Sequence, residues 1–138
     1  MKLFIFLTAH SIVLLAAGIG FALSGPLMLA FFTVPDTVNN TETYWHIAAF
    51  ARMFGAGLFG LGILLWSLRK VVDTLPLTAR RGVLAALLLA DLMYTFVAIT
   101  QQSAIWLTAA GWIVTGLFVL LTLGCGYFLV TQPAQQEQ

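Results

Sequence analysis

The sequence predicts an all-α integral membrane protein, a four-helix transmembrane bundle, and three observations carry that prediction. Hydrophobic residues make up 61% of the 138 and charged residues only 8%, whereas a water-soluble domain of this size needs far more surface charge. The mean hydropathy is +1.00. Four apolar stretches, roughly 3–24, 46–68, 82–100 and 104–130, have about the ~20 residues needed to cross a ~30 Å hydrocarbon core. Backbone polar groups in hydrocarbon must be bonded internally, and these runs do not alternate as barrel strands do, so helices are the expected form.

The first span follows Lys2 and ends in Ala22-Leu23-Ser24. It has the charge and small-residue end of a signal peptide, but its apolar run is longer than the ~7–15 residues of an h-region, so it is expected to remain as a span. GPLMLAFFTVP comes next. Pro26 suits a first helical turn with Ser24 as cap. Leu27 to Val34 are too few to cross again, and a short interfacial helix is expected; a longer, Pro-kinked first span is the alternative. The second span, AFARMFGAGLFGLGILLW at 49–66, is glycine-studded and contains Arg52. The third lies between a basic loop and Gln101-Gln102-Ser103, which is expected to turn the chain into the fourth. Residues 1–131 read as one transmembrane domain, with a polar tail at 132–138.

Charge sets the expected topology. Arg69, Lys70, Arg80 and Arg81 flank the loop between spans two and three, while the 35–45 loop has Asp36 and Glu42 and no Lys or Arg. The positive-inside rule places both termini and the 69–81 loop in the cytoplasm. The Asn39-Asn40-Thr41 sequon then lies outside, but such triplets are common and carry no weight here. The net charge of +1 offers no basic field, so no nucleic-acid partner is expected. The single cysteine, Cys125, excludes an intramolecular disulfide and a CxxC pair.

Small residues let helix backbones approach closely in lipid. Span two offers Ala56/Gly60 and, on another face, Gly55 and Gly62. Span one offers Ala16/Gly20/Ser24 and Gly18/Ala22, and span four Gly116, Gly124 and Gly126. Packing within one bundle is the main expectation and a homo-oligomer through these Gly/Ala faces the lesser one. Trp45, Trp66, Trp106 and Trp112 lie near span ends, where indoles suit the headgroup level.

Three ionisable side chains fall inside spans: His10, Arg52 and Asp91. A charge at a helix centre costs ~2.5–3.5 kcal/mol on the insertion scale, which disfavours lipid-facing positions. At ~1.5 Å per residue, Arg52 lies ~10 Å below the outer edge, Asp91 ~14 Å and His10 ~10 Å in from the cytoplasmic edge. Spans two and three are consecutive and antiparallel, so Arg52 is expected to point toward Asp91. The pair reads either as a register-fixing ion pair or as the floor of a ligand pocket or proton path; snorkelling of Arg52 to the outer headgroups is a third reading. Thr95 and Gln102 share the Asp91 face at helical spacing. An outward-opening cavity lined by Arg52, Asp91, Thr95, Gln102 and Tyr94 is the candidate site, with His10 beside it as a ligand or a hydrogen-bonded packing residue.

No metal and no cofactor is expected. Bis-histidine haem needs two histidines at matched depth, and His10 and His46 lie near opposite leaflets. The sequence holds no His/Cys/Glu cluster for zinc or di-iron, no G-x-S-x-G and no P-loop.

The segment ARMFGAGLFGLGILLWSLR, with its Arg52-x-x-Gly55 match, resembles the second span of small bacterial membrane proteins of the DoxX-like type. GPLMLAFFTVP is similar to the proline-flanked segment after their first span. The resemblance implies a four-helix protein of the bacterial inner membrane, with redox-linked accessory roles suggested for some relatives. Three functions stay open. One is a non-enzymatic protein that binds a lipid-like or quinone-like molecule, or serves as an accessory subunit among membrane lipids. The second is a small proton-coupled transporter using Asp91, and the third a lipid-modifying enzyme. Small multidrug exporters carry their essential carboxylate in the first span, which here has none.

Overall fold

The computed structural model describes residues 3–32 and 42–131. The expectations for Lys2, Asp36, the sequon, the end of the interfacial segment and the 132–138 tail therefore lie outside the described residues. The described chain is helical throughout its regular elements: α1 (Leu3–Leu23), α2 (Gly25–Phe31), α3 (Glu42–Leu68), α4 (Leu77–Gln101) and α5 (Ala109–Thr131), with a 3-10 turn at Val72–Thr74 and a π-turn at Gln102–Trp106. Among the described residues, four helices are long and apolar enough to cross a membrane: α1, α3, α4 with its π-turn, and α5. In the last three only 22% of the most apolar window is buried. Side chains such as Phe50, Trp112 and Val130 stand exposed. Helices apolar on all faces with so little covered are the pattern of a lipid-facing surface and are compatible with a small integral membrane protein.

The chain forms two compact units, Ile5–Lys70 and Val71 onward with the first four residues. In the first unit, α1 and α3 run antiparallel in one register. Thr8 meets Arg69, whose Nη1 donates to Thr8 Oγ1 at 3.2 Å. Leu15 meets Gly62, Gly18 meets Phe59, Ala22 meets Gly55, and past the end of α1 Gly25 meets Arg52. Steps of three, four and seven residues along each helix keep these contacts on one face. Glycine is required at the middle of this seam. A Cβ on Gly18 would stand 2.5 Å from the Phe59 nitrogen, one on Gly62 2.8 Å from Leu15 Cγ, and one on Gly55 would overlap the Ala22 nitrogen. Other glycines behave differently: a Cβ at Gly57 or Gly60 of α3, or at Gly116 or Gly126 of α5, meets nothing within 4 Å among the described residues. The packing expected at Gly60, Gly116 and Gly126 is therefore absent there.

The chain breaks at Ser24, with φ −123° and ψ 41°. Pro26 has no N–H to continue the ladder, and its ring crowds the preceding turn. Ser24 holds the N-cap position as expected, but its side chain makes no capping hydrogen bond; its backbone instead bridges the two helices, N–H to Gly20 O and C=O from Met28 N–H, both at 2.9 Å. The short α2 packs Leu29 against Tyr44 and Ala48 of α3. At the far end of α3 the Arg69 guanidinium lies 3.2 Å over the Trp66 ring.

In the second unit, Arg80 Nη2 donates to the carbonyls of Asp73 at 2.7 Å and Leu75 at 3.3 Å, organising the loop before α4. The helix starts at Leu77, five residues before the expected 82, behind Pro76 as N-cap. The expected turn at Gln101-Gln102-Ser103 is corrected by the structure. The helix continues through these residues as a π-turn, and the chain reverses at Leu107, which has φ 50°. The reversal falls there because Thr108 supplies a cap, its Oγ1 accepting Gly111 N–H at 3.1 Å.

Candidate functional site

The apolar surface of α4 carries one polar stripe. Asp91, Thr95, Ala98 and Gln102 follow one another at four, three and four residues, the spacing of a single helix face. On α5, Gly111, Thr115, Phe118, Thr122 and Cys125 do the same. The two faces meet as antiparallel helices of the second unit. At one end the Cys125 thiol donates to Asp91 Oδ2 at 3.3 Å, with Asp91 2% exposed and Cys125 fully buried. One turn along, the hydroxyls of Thr95 and Thr122 lie 3.1 Å apart, either one donating. Beside them the Tyr94 ring stacks on Phe118, with centroids 5.0 Å apart and planes at 21°.

The other end of the stripe is closed by Gln102, 1% exposed. Its Nε2 donates to Thr108 O at 3.1 Å. Its Oε1 is sealed against Gly111, where a Cβ would overlap it, and takes no hydrogen bond from the described residues. Thr115 Oγ1 returns its proton to Gly111 O at 2.8 Å, so it adds no free donor to the seam. From Asp91 to Gln102 the stripe runs eleven residues, about 16 Å of helix. Neutral hydroxyls, a carboxyl, a thiol and an amide thus line a stretch of helix otherwise built from leucine, alanine and phenylalanine. Such a row sets hydrogen-bonding groups within an apolar surround, and its one thiol stands beside a carboxyl.

The remaining expected residues belong to the first unit. His10 is buried on α1, its ring edge-on to Phe6 with centroids 5.7 Å apart and planes at 73°. Arg52 lies on α3 and is exposed. Its stem passes Gly25: a Cβ there would be 3.3 Å from Arg52 Cγ and 3.6 Å from Nε. Within its own unit the guanidinium makes no hydrogen bond or ion pair with a described residue. Asp91, Tyr94, Thr95 and Gln102 thus share α4 and its π-turn in the second unit, whereas His10 and Arg52 belong to the first.

Sequence reasoning missed Cys125, Thr122, Thr108 and Gly111. The signal for the first two was present, since Thr115, Thr122 and Cys125 recur at seven and three residues along an apolar helix. Among known proteins, no family model, curated protein or solved structure matches the chain.

Proposed function

We propose that this chain is a small, non-enzymatic integral membrane protein that binds a lipid-like or quinone-like molecule through the polar seam of α4 and α5, either for itself or as a membrane accessory subunit. One observation carries the reading: the Asp91 carboxyl, buried with the Cys125 thiol. An intramembrane carboxyl opposes insertion, and the default explanation for such a residue is a function. The hydroxyls of Thr95 and Thr122 and the Asp91 carboxyl offer both donors and acceptors to a head group bearing hydroxyl or carbonyl oxygens, while the flanking apolar side chains suit its tail. The DoxX-like resemblance belongs to this proposal, with one qualification from geometry. Gly55 of the Arg52-x-x-Gly55 match is accounted for by its contact with Ala22 and Gly18, so only Arg52 of that motif calls for a ligand.

Proton-coupled transport is the second reading, favoured by the same buried carboxyl, because a group of this kind exchanges protons with a substrate in small transporters. The experiment compares small molecules extracted from purified wild-type protein and Asp91→Ala by mass spectrometry, alongside proton uptake into proteoliposomes. The binding reading expects a lipophilic molecule retained by the wild type and lost from the variant, with no Asp91-dependent proton flux. Identical extracts overturn it, and Asp91-dependent flux replaces it with transport.

A further inference from the structure

We propose that Arg52 and Ser24 form a binding site for the phosphate of an acidic phospholipid, at the end of the first unit where α1 breaks into α2. This goes beyond the Asp91 seam and stands or falls separately from it. Arginine remains charged in any protein environment, yet Arg52 sits in an apolar stretch of α3, exposed and without a charge partner among the described residues of its unit. Its stem is nonetheless positioned. Gly25 is in register with Arg52, and the missing side chain leaves the groove that Cγ and Nε occupy, bounded by Ala48 O, 3.4 Å from the Cβ that Gly25 lacks. The neighbouring Ser24 is half-buried and its hydroxyl caps nothing. The residue whose missing side chain makes room for the Arg52 stem thus directly follows Ser24 at the helix break.

The surroundings identify the ligand. Arg52 is two turns from Trp45 and His46, both exposed near the start of α3, where an indole marks the headgroup level. A long arginine side chain reaches about one turn toward that level while its stem stays on apolar surface, and local thinning of the bilayer closes the remaining turn. The group met there is the lipid phosphate, whose oxygens accept the guanidinium N–H groups bidentately. A net negative headgroup is preferred over a zwitterionic one, which carries its own cation, because among the described residues of its unit the only carboxylate on its side of α3 is Glu42, ten residues away and exposed.

The test is native mass spectrometry of the full chain released from nanodiscs of phosphatidylcholine, with and without phosphatidylglycerol. Wild type is expected to retain phosphatidylglycerol in preference to phosphatidylcholine. Arg52→Gln is expected to lower that retention roughly tenfold or more, the loss of a charge-assisted pair, and Ser24→Ala to lower it less. Gly25→Leu fills the groove and is expected to weaken retention with the charge intact. Arg52→Lys keeps the charge but loses the fork, and is expected to fall between wild type and Arg52→Gln. Gly60→Ala, on an open face, is expected to retain lipid fully. Equal retention by Arg52→Gln and wild type overturns the site, as does equal retention of the two lipids. Complete displacement by inorganic phosphate overturns the lipid assignment in favour of a free-phosphate site.

Discussion

Gly55→Ala and Gly60→Ala place the same methyl group on the same helix, and the structure assigns them opposite consequences. At Gly55 the new carbon would overlap the Ala22 nitrogen and stand 2.7 Å from Phe21 Cβ and 2.8 Å from Gly18 O. Optimal carbon contacts are ~3.5–4.0 Å, so α1 and α3 must separate by an appreciable fraction of an ångström, and backbone atoms cannot swing aside as a flexible side chain would. Overpacking of this kind costs ~1–3 kcal/mol, and the separation also loosens Gly18 against Phe59 and Leu15 against Gly62. At Gly60 the methyl meets nothing within 4 Å among the described residues. Replacing a mid-helix glycine by alanine gains up to ~1 kcal/mol of helix propensity at either site, so that gain cancels in the comparison. The difference between the two variants isolates the steric cost and is expected to be ~1–3 kcal/mol, with Gly55→Ala the less stable. Unfolding of both in one detergent, followed by circular dichroism, measures it. Gly55→Ala as stable as Gly60→Ala would refute the close approach of α1 and α3.

Three further outcomes are expected. Gly111→Ala drives a methyl into Gln102 Oε1, the end of a flexible side chain, and is expected to cost less stability than Gly55→Ala, with Gln102→Ala in the same chain recovering part of the loss. Cys125→Ala removes the donor to Asp91 and is expected to cost ~1 kcal/mol, while Cys125→Ser keeps a donor and costs less; equal losses would contradict the hydrogen bond. For the proposed topology, in a Cys125→Ser background, Asn40→Cys should label from outside and Leu75→Cys only from the cytoplasmic side, and the reverse would overturn it.

How far the sequence reveals the fold depends on the range of the interaction. Periodicity along a single helix was readable: Arg52, Gly55, Phe59 and Gly62 share a face, as do Asp91, Thr95 and Gln102, and the structure places the described contacts of each helix on those faces. Pairing between helices was not, because register depends on where the chain turns. Three polar residues at Gln101-Gln102-Ser103 look like a loop, yet Gln102 is buried and Ser103 returns its hydroxyl proton to Ile99 O within the helix. Leu107, an apolar residue in a left-handed conformation, gives no turn signal, since that conformation ordinarily selects glycine or asparagine. With the turn misplaced, Cys125 could not be brought opposite Asp91. Ser24 and Pro26 did mark the helix break, because the proline's missing N–H acts locally.

The central claim, a lipophilic ligand held at the Asp91 seam, is tested most directly by ligand-induced stabilisation. A ligand that binds only the folded state raises stability by ~2.7 kcal/mol when present at about a hundred times its dissociation constant. Wild type, Asp91→Ala and Gly60→Ala would be unfolded in detergent with and without a short-chain quinone, and with and without a diacylglycerol. The account predicts that at least one of the two stabilises wild type and Gly60→Ala alike and leaves Asp91→Ala unmoved. Stabilisation of all three proteins equally, or of none, would contradict it.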